Sequence, residues 1–202
     1  MYEPPTIATA PVAYCNCMED IKARLQKIDR MLIGHSPMKN EGLDTEVIFL
    51  LLRKSLEQIA FASLIAHKEA YAKIYADFAK TWRVKQMLDR IAEIHPDFYP
   101  KPVSFPVVDT GKVKHLIDVT DGFLTQEDLV FLYSCSSEVL HTWNPFRKDA
   151  RVVNTERPVA EWVARIKRLL DLHYIRLAGQ QGVWVVQMNH PADGKVHAFP
   201  AQ

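Results

Sequence analysis

Residues 43–95 contain neither glycine nor proline, and this segment constrains the fold more than any other part of the sequence. Strands of that length do not occur and hairpins need turn residues, so the segment has to be mostly helical. A single helix would extend about 80 Å at ~1.5 Å per residue, which is too long for a compact domain of 202 residues. We therefore expect a long helix over about 44–78 and a shorter one over about 82–94, with Thr81 as N-cap of the second.

The predicted long helix is apolar around most of its circumference. Its main stripe has helical spacings of three and four residues and consists of Phe49, Leu52, Leu56, Ile59, Ala60, Ser63, Ala66, Ala70 and Ile74. Further apolar residues lie on the other side, between charged ones. Such a helix is usually central and covered by neighbouring helices or by a second subunit. We expect the chain to form a homodimer through it.

Local signals predict the remaining elements. A helix over Met18–Leu32 stops at Gly34, and a helix capped by Thr125 runs to about His141. The predicted elements that follow are a helix over Val159–Leu177 and a hairpin of Val183–Met188 and Lys195–Phe199 around Asp193-Gly194. Prolines at 96, 100, 102 and 106 indicate an extended segment, and Val113–Val119 fits a short strand or a loop.

These elements predict a mainly α fold, a helical bundle with one long central helix and a small C-terminal β-hairpin. We expect a single helical domain over 1–202, with an N-terminal tail over 1–11. The bundle core is predicted over 12–147, and the C-terminal helix with its hairpin over 155–202.

Composition and charge exclude several classes of protein. With 48% hydrophobic and 24% charged residues and a net charge of +1, the chain is neither disordered nor strongly attracted to polyanions as a whole. No apolar run approaches a membrane span, and the first residues do not form a secretory signal. Three cysteines are too few for a disulfide scaffold, so we expect a cytoplasmic protein that does not engage a membrane.

The most distinctive local string surrounds the end of the helix predicted to stop at His141. Here His141 is followed by Asn144 and Arg147. Imidazole transfers protons and guanidinium binds phosphate in a bidentate manner, so these residue types suit a phosphodiester substrate. The alternative is structural, because a histidine at a helix C-terminus also caps carbonyl groups.

Two charged residues, Arg53 and Glu57, lie one turn apart on the apolar long helix. A buried pair there would be costly unless partnered and would therefore suggest a function. An ordinary surface pair on the polar stripe of the helix is the alternative.

No phosphate-binding loop, dinucleotide fingerprint, nucleophile elbow or zinc-protease motif occurs, and we expect no cofactor. Cys15 and Cys17 could hold zinc only if Cys135 and His141 joined them. Because a one-residue spacer is atypical of zinc sites, we expect thiols without metal.

Three strings carry a family resemblance: Leu52–Leu64, Ile94–Pro100 and Leu140–Phe146. Over about 45–147 the chain resembles bacterial helical proteins of the HEPN superfamily and its abortive-infection relatives. The resemblance implies a dimeric helical bundle and, for many members, metal-independent RNase activity in toxin–antitoxin or phage-defence systems. The family hallmark is an arginine, a polar residue and a histidine a few residues later.

No arginine precedes His141 at the hallmark distance, and the pairs Arg30/His35, Arg90/His95 and Arg168/His173 have an apolar residue after the arginine. The resemblance implies RNA as partner, with His141 as general acid or base and Arg147 and Arg53 on the phosphate. In the same scheme Asn144 orients the histidine or the phosphate, and Glu57 orients Arg53.

Two other functions remain open from the sequence. The first is a non-catalytic helical oligomerisation or adaptor module with a protein partner, which the apolar long helix favours. The second is a winged-helix DNA binder, suggested by the closing helix and hairpin. Against the second, a helix over Val159–Leu177 is long for a recognition helix, and the hairpin carries only Lys195 as a fixed positive charge.

Overall fold

A computed structural model describes residues 9–66, 84–105, 116–142, 146, 153–177 and 182–201. Within these residues five helices accompany a five-stranded antiparallel sheet, so the fold is mixed α/β. The prediction of a mainly α helical bundle with only a small C-terminal hairpin is therefore wrong. The buried side chains of helices and sheet form one continuous hydrophobic cluster, to which the sheet contributes Ile175 and Val186.

Helix α1 spans Ala10–Leu32 and begins earlier than predicted, with proline in its first turn. Proline is favoured there because its missing N–H has no partner to lose. The helix ends as predicted at Gly34, whose φ of +95° belongs to the left-handed region. Its buried face is lined by Tyr14, Met18, Ile21, Leu25, Ile28 and Met31.

Helix α2 spans Glu41–Ala66; its first turns are largely exposed, whereas from Leu51 onward nearly all of its side chains are buried or half-buried. It packs mainly against α1 and against α4 (Gln126–Leu140). The predicted continuation to 78, the break and the Thr81 cap lie outside the described residues. Helix α3 follows over Val84–Ile94. No helix in the described part of the chain is both long and apolar enough to cross a membrane.

The start of α4 is the best-predicted boundary. Asp128 N–H donates to Thr125 Oγ1 at 3.1 Å, and Thr125 N–H donates to Asp128 Oδ2 at 3.3 Å. This reciprocal capping box satisfies two donors that a helix start otherwise leaves unpaired. The helix ends at Leu140 with His141 as C-cap, which confirms the predicted extent.

The sheet has the strand order β2-β1-β3-β4-β5. The strands are β1 Lys101–Ser104, β2 Ile117–Asp118, β3 Leu172–Arg176, β4 Val183–Gln187 and β5 His197–Ala201. The predicted C-terminal hairpin is present as β4–β5, with Gly194 at φ +68° in its turn. The proline-rich extended segment supplies β1, which pairs with β3 through Lys101↔Tyr174 and Pro102↔His173.

Strand β3 is the element that sequence analysis assigned to a helix. Helix α5 spans Val159–Leu170 and does not continue to Leu177. Neither glycine nor proline marks the change at Asp171, and Leu169, Leu172 and Ile175 keep a spacing that a helix also allows. Long-range pairing decides the conformation, because β3 bonds to β4 along its whole length and to β1 on its other side.

A buried hydrogen-bonded pair connects α1 to β3. Tyr14 Oη lies 2.8 Å from His173 Nε2, and His173 Nδ1 lies 2.7 Å from the carbonyl oxygen of Leu170. Because a carbonyl only accepts, His173 carries its proton on Nδ1 and accepts the Tyr14 hydroxyl proton at Nε2. Both side chains are fully buried. The arrangement therefore requires a neutral imidazole.

This pair predicts a loss of stability in acid. Burial lowers the pKa of His173 from 6.5 to about 4, although the bond to Leu170 opposes the shift. The unfolded chain takes up this proton below its ordinary pKa, and the folded chain only near pH 4. Stability present above pH 6.5 is therefore lost as the pH falls to about 4, by about 3 kcal/mol in total.

Urea unfolding of the wild type and His173→Gln at pH 7 and pH 4.5 measures this contribution. We expect the stability difference between them to shrink in acid, whereas His35→Gln, an exposed control, should follow the wild type. A difference independent of pH would contradict the assignment.

Candidate functional site

Arg53 and Glu57 form an ion pair on α2, with 3.2 Å between Arg53 Nε and Glu57 Oε1. Their side chains are 29% and 20% exposed, so the pair is neither buried nor fully solvated. Helix α4 supplies two further partners. The terminal nitrogens of Arg53 donate to Ser137 Oγ at 2.6 Å and to the Tyr133 hydroxyl at 2.7 Å. We refer to these four side chains as the Arg53 cluster.

Tyr133 is the central group of the Arg53 cluster. Its hydroxyl donates to Glu57 Oε1 at 3.3 Å, and the guanidinium carbon of Arg53 lies 4.5 Å from its ring centroid. Burial raises the pKa of Tyr133, with Glu57 adding to the increase and Arg53 opposing it. The phenol therefore keeps its proton at neutral pH. The cluster holds one positive and one negative charge and fastens α2 to α4.

His141 is the C-cap of α4, four residues after Ser137, and its backbone is extended rather than helical. Its N–H donates to the Ser137 carbonyl at 3.1 Å. The residue is exposed to solvent. The structure thus pairs two of the five predicted site residues, Arg53 and Glu57, and places a third, His141, at the end of the helix that contacts them. The other two, Asn144 and Arg147, lie outside the described residues.

The Arg53 cluster predicts a measurable coupling between α2 and α4. Tyr133→Phe removes the hydroxyl that bonds both charged groups, and we expect it to cost about 1 kcal/mol. Arg53→Lys keeps the positive charge but loses the planar guanidinium that bonds Tyr133 and Ser137. The double variant should therefore lose less unfolding free energy than the sum of the two single losses, by about 1 kcal/mol. Urea unfolding of the four proteins measures it. A second cycle that combines Tyr133→Phe with Lys85→Ala on α3 is the control, and its two stability losses should add. If the losses of Tyr133→Phe and Arg53→Lys add as well, the coupling is refuted.

The basic residues of α5 are paired with carboxylates. Arg165 lies 3.0 Å from Asp128, and the other two basic side chains of α5 form the pairs Lys167–Asp29 at 2.6 Å and Arg168–Asp121 at 3.4 Å. The helix has 12 residues, so the length argument against a recognition helix no longer applies. Its positive charges are nevertheless engaged, which weighs against α5 as a surface for DNA phosphates.

The three cysteines are free thiols on two different helices. Cys15 and Cys17 lie half-buried on α1, and Cys135 is buried on α4. Burial is the leading cause that raises the pKa of each thiol, that of Cys17 to about 11. Among the described residues, neither these thiols nor His141 belongs to a group of side chains close enough together to bind one metal ion, as the zinc site weighed from the sequence requires.

The structure also reveals a group of residues that sequence analysis missed. His190, Asp193 and His197 place one ligand atom each within 4.8 Å of one another in the β4–β5 turn; we refer to them as the His190 cluster. The available signal was the pair of histidines on either side of the Asp193-Gly194 turn. Sequence analysis used that dipeptide only to place the hairpin.

No protein-family model, curated protein or solved structure matches this chain. The resemblance to HEPN proteins therefore depends on the sequence strings alone.

Proposed function

We propose that this chain is a cytoplasmic, HEPN-like protein that cleaves RNA without a metal ion, in phage defence or a toxin–antitoxin system. The proposal depends chiefly on one observation, a partly exposed Arg53 guanidinium that is oriented by side chains of α4, the helix whose C-cap is the exposed His141. Contacts among the described residues engage three of the five N–H donors of Arg53. The other two have no partner in the described part of the chain, and in the proposal they bind the oxygens of a phosphate.

The proposed reaction is an attack by the ribose 2′-hydroxyl on the adjacent phosphorus. His141 removes the 2′-hydroxyl proton, the new oxygen–phosphorus bond forms, and the bond to the 5′-oxygen breaks. The leaving 5′-oxygen takes a proton from water, which gives a 2′,3′-cyclic phosphate and a 5′-hydroxyl. Arg53 offsets the charge on the phosphate, and Glu57, Tyr133 and Ser137 hold the guanidinium in place.

Labelled RNA incubated with the purified protein in EDTA tests the proposal. We expect cleavage by the wild type and a loss of about 10²–10⁴-fold in rate in His141→Ala, because proton transfer contributes about that much. His35→Ala removes an exposed histidine elsewhere and should cleave like the wild type. Equal rates in wild type and His141→Ala, or no cleavage by folded wild type, would refute the proposal.

A second candidate is a non-catalytic oligomerisation or adaptor module. It is favoured by large apolar side chains exposed around the α1–α2 connection. They are Ile33 at 74%, Met38 at 50%, Leu43 at 44% and Leu50 at 41% exposure. Large exposed apolar side chains that gather in one stretch of the chain favour a protein interface. This surface includes the start of α2, the helix through which the sequence predicts a homodimer.

Self-association can be tested separately from RNA cleavage. We expect the wild type to be dimeric by light scattering and Ile33→Asp or Leu50→Asp to be monomeric, because a charge cannot be buried there without a partner. Val12→Asp is the matched control, since Val12 is also exposed. It lies near the other end of α1, about 31 Å from Ile33 along the helix axis at ~1.5 Å per residue. A monomeric wild type, or dimers in all variants, would exclude this interface.

A further inference from the structure

The turn between β4 and β5 gathers two imidazoles and a carboxylate. His197 Nε2 lies 3.2 and 3.1 Å from the two carboxylate oxygens of Asp193, and the ring centroids of His190 and His197 are 4.4 Å apart. Both histidines are half-buried and Asp193 is exposed. The three groups therefore converge on one place that solvent can reach.

Neighbouring groups restrict the motion of these side chains. The ring of Phe199 stacks on His197, with 5.9 Å between centroids and 15° between planes, and lies 5.8 Å from His190. The turn itself is held by its backbone, since His190 N–H donates to the Lys195 carbonyl at 2.9 Å and Lys195 N–H donates to Asp193 Oδ1 at 2.9 Å. Rings and turn are thus oriented before any ligand arrives.

Helix α1 anchors the same turn. Lys22 Nζ donates to the carbonyl oxygens of Met188 at 3.0 Å and Gly194 at 2.9 Å. Glu19 Oε1 accepts the N–H of Val196 at 2.6 Å. The His190 cluster therefore sits on a turn that is attached to the rest of the fold.

We propose that His190, Asp193 and His197 form a binding site for one divalent transition-metal ion, with Zn²⁺ as the favoured ion. Zinc bonds of about 2.0–2.1 Å in a tetrahedron separate ligand atoms by about 3.3 Å. The distances from His197 to Asp193 already match this, and small side-chain rotations bring in His190. Three protein ligands leave a coordination position open to water or to another ligand.

The donor set determines which ions fit. Two imidazole nitrogens and one carboxylate oxygen suit zinc, nickel, copper or iron, whereas Mg²⁺ and Ca²⁺ require mainly oxygen ligands. Metal binding replaces the hydrogen bonds between His197 and Asp193 and, at His190, a 3.3 Å bond from the Ala192 N–H to its Nδ1. The site is independent of the proposed RNA cleavage, which involves other residues and needs no metal.

Isothermal titration of the metal-free full-length protein with ZnCl₂ tests the site. We expect one Zn²⁺ per chain, and a loss of affinity of at least about tenfold in His190→Ala, His197→Ala and Asp193→Asn. The last variant retains an acceptor for the Lys195 N–H and so preserves the turn. His35→Ala should bind like the wild type, and excess Mg²⁺ should not displace the zinc.

Titration with Co²⁺ identifies the ligands directly. We expect a visible spectrum without a sulfur-to-metal charge-transfer band, which separates the His190 cluster from Cys15 and Cys17. Histidine nitrogen chemical shifts on Zn²⁺ addition should change for His190 and His197 and not for His35. A wild type that binds no zinc, a thiolate band, or equal affinity in the variants of the cluster would overturn the proposal.

Discussion

The enclosure of the second half of α2, from Leu51 to Ala66, is the constraint from which the rest of the architecture follows. Because this part of the helix is apolar around most of its circumference, exposure of either side would be costly, and α1 and α4 have to cover it. Its buried serines do not interfere, since Ser55 and Ser63 donate to the carbonyls of Leu51 and Ile59 in the same helix. The hydroxyl groups of these two buried serines are therefore satisfied by the backbone of the same helix.

Three other polar side chains of α2 connect it to its neighbours. Gln58 accepts a hydrogen bond from Arg24 of α1 and donates to Asp20 at 2.8 Å, whereas Arg53 and Glu57 contact α4. Directional bonds of this kind fix the rotation of each covering helix about its axis, which apolar contact alone leaves loosely defined. The orientation of α4 in turn places Tyr133 and Ser137 against Arg53.

The parts of the fold that sequence analysis predicted are those specified by adjacent residues. Gly34 ends α1 and Thr125 begins α4 because each acts on groups within a few positions of itself. Strand β3 could not be predicted in this way, since Leu172–Arg176 becomes a strand only through pairing with distant β1 and with β4. The same limit applies to the sites. The spacing of Arg53 and Glu57 predicted their ion pair, whereas the bonds to Tyr133 and Ser137 depend on how two helices pack.

The two clusters differ in how far their charges are already compensated, and this bears on what each can bind. The Arg53 cluster pairs one cation with one carboxylate, so a phosphate that binds there competes with Glu57 for the guanidinium or uses its remaining donors. Affinity for a polyanion consequently needs positive charge from outside the cluster, and Arg147 is the residue that the sequence predicts for it. The His190 cluster has the opposite balance. Its one carboxylate, that of Asp193, attracts a divalent cation and repels an anion.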